Sequence, residues 1–147
     1  MSARIEPSPY PYRHICNVQI RFNDFDRFGH INNTIYLQYM DLGKETYISE
    51  VIGDIFDTQR ETIVVVNVNC DFCQTTEANE PLQVRTRVDS IGRHSVVFEQ
   101  EIVNVATEEM KCRSRTVMVG YAPATKETIE ILPRWRQAIS AYEGRPL

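Results

Sequence analysis

Two periodicities alternate along the 147-residue chain. In "NVQIRF", from Asn17 to Phe22, Val18, Ile20 and Phe22 face one way and Asn17, Gln19 and Arg21 the other. Strict period two predicts a half-buried strand. From about Asn33 to Val51 the spacing becomes helical, with apolar side chains at Ile35, Tyr36, Tyr39, Met40, Leu42 and Tyr47. A helix apolar over most of its girth is expected to be wrapped by other elements. Gly53 marks its end.

Period two then returns. "TIVVVNVNCDFC" sets Val64, Val66, Val68, Cys70 and Phe72 on one face, and "PLQVRTRVD" does the same with Leu82, Val84, Thr86 and Val88. "HSVVFEQEIV" supplies Val96, Phe98 and Ile102, and "KCRSRTVMVGY" reads as a further strand. The connections "TTEANE", "SIGR" and "NVATEE" are short enough for antiparallel hairpins. "PRWRQAISAYEG" predicts a short last helix over 133–143, with Pro133 suited to its first turn. Residues 1–13, with prolines at 7, 9 and 11, predict an irregular arm. One strand, one long helix and a four-strand meander make an α+β chain, an antiparallel sheet curled around a central helix.

Composition narrows the class. A length of 147 residues suits a single domain over 1–147, and 42% apolar with 24% charged residues is ordinary for a soluble protein. A net charge of −4 offers no electrostatic reason to expect nucleic acid or an anionic membrane as partner. No apolar run approaches the roughly 20 residues of a membrane span. "MSARIEPSPYPYRH" lacks the apolar stretch of a secretory signal, so a cytoplasmic protein is expected.

Cys70 and Cys73 sit in "CDFC", but in a strand pattern, with no second pair at zinc-ligand spacing. Reduced thiols packed in or beside the sheet are expected, and no metal or cofactor. Arg85 and Arg87, Glu99 and Glu101, and Arg113 and Arg115 lie on three successive strands. In a meander the glutamates fall between the arginines, giving a solvated ladder of ion pairs. A basic patch for a phosphorylated ligand is the functional rival, with Arg93 in "SIGRHS" its best-placed member.

The chemistry concentrates where the first strand passes into the helix, "VQIRFNDFDRFGHINNTIYLQYMD". The first amides of a helix have no partner within it. Asn32 or Asn33 can cap one, and the others can receive an anion or a developing oxyanion. Asp26 precedes that start by a few residues, and Gly29 lets backbone approach closely. A carboxylate beside aimed amides is what hydrolysis of an activated acyl group requires. The plainer alternative is that Asp24 and Asp26 only shape a turn or favour the helix dipole.

The stretch "RFNDFDRFGHINNTIYLQYMD" closely resembles the signature of hot-dog-fold acyl-CoA thioesterases of the 4-hydroxybenzoyl-CoA thioesterase type. That signature is Arg-aromatic-x-Asp-x-Asp-x-x-Gly, then His-Val-Asn-Asn and the central helix. "CDFCQTTEANEPLQVRTRV" and "IGRHSVVFEQEI" resemble later sheet segments of the same family. The resemblance implies a hot-dog fold, Asp26 as catalytic carboxylate, and carbonyl-polarising amides around Asn32 and Asn33. It implies that Gly29, His30, Asn32 and Asn33 line the site, with Asp24 a structural neighbour in the turn. Arg93 becomes a candidate for the phosphates of coenzyme A. In such relatives the site lies between two subunits, so a homodimer or homotetramer is expected. The implied reaction is hydrolysis of an acyl-CoA to free acid and coenzyme A, with Asp26 as nucleophile or general base. A dehydratase of the same fold is disfavoured, because Asp26-x-x-x-His30 does not match those motifs. A non-catalytic acyl-CoA or small-ligand binder is the rival from another class.

Overall fold

The computed structural model describes residues 4–53 and 57–147. Among the described residues six strands form one antiparallel sheet: β1 (His14–Val18), β2 (Thr62–Phe72), β3 (Leu82–Ile91), β4 (Ser95–Asn104), β5 (Met110–Ala122) and β6 (Glu127–Ile129). Two helices, α1 (Asn33–Val51) and α2 (Pro133–Glu143), accompany it. The order is β1-β3-β4-β5-β2, with β6 paired to β5. The α+β architecture expected from the periodicity is present, in the hot-dog form that the family resemblance implies.

Several local expectations change. The first strand runs over His14–Val18, not over Asn17–Phe22. Its partner β3 begins at Leu82, opposite Val18, so no ladder exists beyond that point. Residues Phe22–Asp24 instead form a 3-10 turn, closed where the Arg21 amide donates to Asp24 Oδ2 at 2.9 Å. Phe22, expected to face inward, is 94% exposed.

The four-strand meander is also corrected. β3, β4 and β5 are successive hairpins, but β2 pairs with β5 at the opposite edge from β3. "TTEANE" therefore crosses between sheet edges instead of making a hairpin. Val66 is the extra residue of a bulge between Val65 and Asn67, so the face expected for Val64 through Phe72 is split.

α1 matches its expected span, but it is not apolar-faced all round. Tyr36, Tyr39, Met40, Gly43, Lys44 and Tyr47 pack inward at helical spacing, whereas Leu42 is 40% exposed. Gly43 lets the helix sit close on the sheet, since a Cβ there would lie 2.6 Å from Val84 Cγ1 and 2.8 Å from Gln100 Nε2. Tyr36, Tyr39 and Met40 pack with Leu82, Val84, Ile102 and Cys112, while Tyr47 joins Val88, Phe98, Trp135 and Ile139.

The charge ladder has the expected register, Arg85 opposite Glu101, Arg87 opposite Glu99, and Glu99 and Glu101 opposite Arg115 and Arg113. It is not solvated throughout. The arm from Arg4 crosses this face, and Arg87 Nη2 and Arg113 Nη1 donate to the Ser8 and Ile5 carbonyls. The Tyr12 ring lies 4.0 Å from the Arg87 guanidinium. All four cysteines are free thiols, with Cys70 Sγ 3.1 Å from Cys112 Sγ.

Candidate active site

Between the 3-10 turn and α1 the chain makes a closed loop. Phe25 bridges Ile31 in antiparallel fashion, and the Asp26 amide donates to the His30 carbonyl at 3.0 Å. Within it, the Gly29 amide donates to the Asp26 carbonyl at 3.1 Å, and the Phe28 amide to Asp26 Oδ1 at 2.8 Å. Gly29 has φ +83°, the left-handed conformation this turn needs and L side chains rarely adopt. These bonds fix the Asp26 carboxylate by its own turn.

The helix start accounts for most of its unpaired donors. Asn32, not Asn33, is the N-cap, its Oδ1 accepting from the Thr34 amide at 3.0 Å. The Asn32 amide itself donates to the Asp24 carbonyl at 3.0 Å, and the Ile35 amide to the Asn32 carbonyl at 2.9 Å. Among the described residues the Asn33 amide alone of this first turn has no acceptor.

Three carboxylates surround the junction, in different states of saturation. Asp24 is 1% exposed and accepts from the Tyr39 hydroxyl at 2.5 Å, the Arg21 amide at 2.9 Å and Arg21 Nη2 at 3.3 Å. Burial acts to raise its pKa, but these donors outweigh burial and hold it below the usual value. Burial and the same hydrogen bond push the Tyr39 hydroxyl far up, so it stays a donor. Glu80 accepts from the Glu77 amide at 2.7 Å, Asn104 Nδ2 at 2.9 Å and Lys111 Nζ at 2.8 Å. Burial opposes its ionisation, yet Lys111 and the other donors hold its pKa low. Asp26 differs from both. Among the described residues its Oδ1 accepts one amide and its Oδ2 accepts nothing.

Asp26 and Gly29 line an open cleft of about 870 Å³ together with Val18, Ile20, Phe22 and Phe25 from their own segment and Ala78, Asn79 and Glu80 from the connection before β3. His30, Asn32 and Asn33 stand at the helix entry and are not among the residues that line it. Tyr36, Tyr39 and Met40 are core residues packed with Leu82, Val84 and Ile102, and are not among the residues that line the cleft. Arg93 is in the β3–β4 turn, exposed and paired with Glu130 at 2.5 Å. The ten residues of β3 separate that turn from the cleft, about 30 Å at strand spacing.

Sequence reasoning missed the wall of residues 78–80. "TTEANE" carries turn residues and no periodicity, and only the crossover from β2 to β3 brings it to the cleft. It is held there by the Ile31 amide donating to the Thr76 carbonyl at 3.2 Å and by Tyr36 Oη lying 2.7 Å from Thr76 Oγ1. Asn79 has φ +70°, a conformation that asparagine tolerates better than most residues and a signal visible only as an Asn in a turn. Among the described residues no cluster of three or more His, Cys, Asp or Glu is placed to hold a metal. No described helix is long and apolar enough to cross a membrane.

Residues 20–139 match the family described as the thioesterase-like superfamily. Among solved structures, the PA5185 protein of Pseudomonas aeruginosa PAO1 is 26% identical, with TM-score 0.80 over 89% of this chain and 92% of that one. A thioesterase of Thermus thermophilus, solved with coenzyme A and zinc, is also 26% identical, with TM-score 0.79 over 90% and 96%. A 1,4-dihydroxy-2-naphthoyl-CoA thioesterase of Synechocystis shares the fold at 19% identity and TM-score 0.76 over 86% and 94%. The Bacillus subtilis protein YsmA is 24% identical over 81 residues, 55% of this chain and 54% of that one, so the match spans about half of that relative.

Proposed function

Because the chain belongs to the thioesterase-like superfamily, we propose that it is an acyl-CoA thioesterase that hydrolyses an acyl-CoA to the free acid and coenzyme A, with Asp26 as its catalytic carboxylate. One observation carries the residue assignment. Of the three carboxylates at the junction, only Asp26 combines a place on the cleft wall with an oxygen that no described donor occupies. A carboxylate saturated by donors, as Asp24 and Glu80 are, is a poor nucleophile or base.

Asp26 Oδ2 takes a proton from a water that attacks the thioester carbonyl, and that proton passes to the departing thiolate as the acid forms. In the nucleophilic alternative Oδ2 attacks the carbonyl, and the thiolate leaves and takes a proton from solvent. Water then hydrolyses the acyl–Asp26 anhydride to the free acid. The Asn33 amide, unpaired among the described residues, stands at the positive end of α1 and off the cleft wall, so it meets the oxyanion only where the thioester carbonyl reaches past the Asp26 turn to the helix entry. Gly29 keeps the Asp26 turn tight, His30 holds it through its carbonyl, and Asn32 caps the helix. The likeness to the Thermus protein solved with coenzyme A supports that carrier. The edge strand β2 exposes Val65, Val66, Val68 and Phe72, which suits pairing with a second copy. Arg93 enters the reading only through such an assembly, since its own chain keeps it a strand-length from Asp26.

Release of free thiol from short-chain, long-chain and aromatic acyl-CoAs tests the proposal. The wild type turns over at least one class, and Asp26→Asn loses most of that rate while remaining folded. Binding without thiol release would make the chain a carrier, and an undiminished Asp26→Asn rate would remove Asp26 from the chemistry.

A further inference from the structure

Tyr39 lies one helical turn and more beyond the start of α1, is buried, and does not line the cleft. Its hydroxyl nevertheless reaches back 2.5 Å to Asp24 Oδ2. Asp24 is where three pieces of chain meet. Its carboxylate takes the Arg21 amide from the start of the 3-10 turn and the Tyr39 hydroxyl from the body of the helix. Its carbonyl takes the Asn32 amide at the helix entry, at 3.0 Å. The loop from Phe25 to Ile31, which carries Asp26, springs from Asp24 on one side and Asn32 on the other. Both feet of that loop are therefore joined through one buried residue, and that residue is pinned to the helix by Tyr39.

We infer that Tyr39 is a positioning residue for the reaction, fixing the Asp26 loop relative to the leading end of α1 through its hydrogen bond to Asp24. The inference rests on the reading of Asp26 as the catalytic carboxylate. Burying an aspartate is unfavourable unless its oxygens are filled, and a donor from the helix fills one while locking the helix to the loop base. Without the Tyr39 hydroxyl the Asp24 carboxylate keeps only its Arg21 donors, and the loop is joined to the helix entry by backbone bonds alone, with no tie to the body of α1. Displacements of about 1 Å at reacting groups are enough to slow chemistry by roughly 100-fold. Tyr39 touches no substrate in this scheme and acts only through Asp24.

Tyr39→Phe keeps the ring and its packing and deletes the donor. In the thiol-release assay its kcat is expected to fall by roughly 10- to 100-fold with KM close to wild type. Asp24→Asn is expected to lower kcat too, and the double variant to be little worse than Asp24→Asn alone, because both changes damage one bond. Asp26→Asn, measured beside them, separates the two readings. An inactive Asp26→Asn with a Tyr39→Phe at wild-type kcat overturns the role of Tyr39 alone. An Asp26→Asn at wild-type rate overturns the catalytic assignment and with it the basis of this inference. A Tyr39→Phe loss carried wholly by KM, or one that only follows the fraction of protein folded by circular dichroism, also overturns it. Should Tyr39→Phe not fold, Asp24→Asn, which retains the tyrosine, is read for the same split between kcat and KM.

Discussion

Arg87 on β3 and Glu99 on β4 face each other with both side chains buried, Arg87 Nε and Nη2 donating to the same Glu99 oxygen at 3.0 and 2.6 Å. Glu99 Oε1 is taken by Arg115 Nη1 at 2.6 Å, and the arm closes over the pair through the Ser8 and Tyr10 carbonyls. The central pair of a ladder that looks like surface decoration in one dimension is thus interior, while its neighbour Arg115 stays partly exposed.

Removing one member of a buried pair leaves the other charge without its counter-ion. Glu99→Leu should cost about 3–5 kcal/mol in urea denaturation. The double change Arg87→Met with Glu99→Leu should recover most of that loss. A surface-like effect below about 1 kcal/mol for the single variant would contradict the burial of the pair.

Gly43→Ala should destabilise, although alanine is the better helix former by about 1 kcal/mol. The added methyl meets Val84 Cγ1 at 2.6 Å and Thr86 Oγ1 at 3.0 Å, and overpacking of this kind costs about 1–3 kcal/mol. Thermal denaturation reads the sign directly, and a raised Tm would mean that the sheet yields.

Gly29→Ala meets no atom within 4 Å, so only its φ of +83° is at issue. The expected loss of stability is about 1–2 kcal/mol. Thioester turnover should suffer more than stability does, because relaxing this φ breaks the bond between the Gly29 amide and the Asp26 carbonyl. Equal losses in folded fraction and in activity would reduce Gly29 to a structural residue.

Acid should unfold the protein through Asp24 and Glu80. Both are held below their ordinary pKa in the native state, so the unfolded chain takes up protons first as the pH falls. Their stabilisation is complete above the ordinary carboxylate pKa of about 4 and is lost as the pH drops through the lower native values. His14, whose burial lowers its pKa, begins an earlier decline below about 6.5. Urea midpoints measured from pH 7 to pH 3 should show both stages. Asp24→Asn should flatten the lower stage and leave the upper one unchanged.

The strands and α1 were legible because each buries one face, and a single buried face writes its period into the chain. Leu82, Val84 and Val88, and Val96, Phe98 and Ile102, point inward where their alternation put them. The registers of arginine against glutamate were legible as well, since β3, β4 and β5 are joined by short turns that leave no other pairing. β1 and β2 were the places where periodicity misled. Alternation continues through Phe22, but a strand ends where its partner ends, and the bulge at Val66 is invisible to a count of twos.

The candidate site divides in the same way. The turn at Asp26, the left-handed Gly29 and the cap at Asn32 were legible in sequence because these features are local and lie within seven residues of one another. The wall at Asn79 and Glu80, the bond from Tyr39 to Asp24 and the distance of Arg93 from the cleft depend on where β2 joins the sheet. The chain alone determined which residues could turn, cap and alternate, since those choices are made by neighbours a few bonds away. Tertiary structure alone decided which carboxylate keeps a free oxygen, because donors from Tyr39 and Lys111 arrive across the fold from segments with no sequence proximity to the groups they fill.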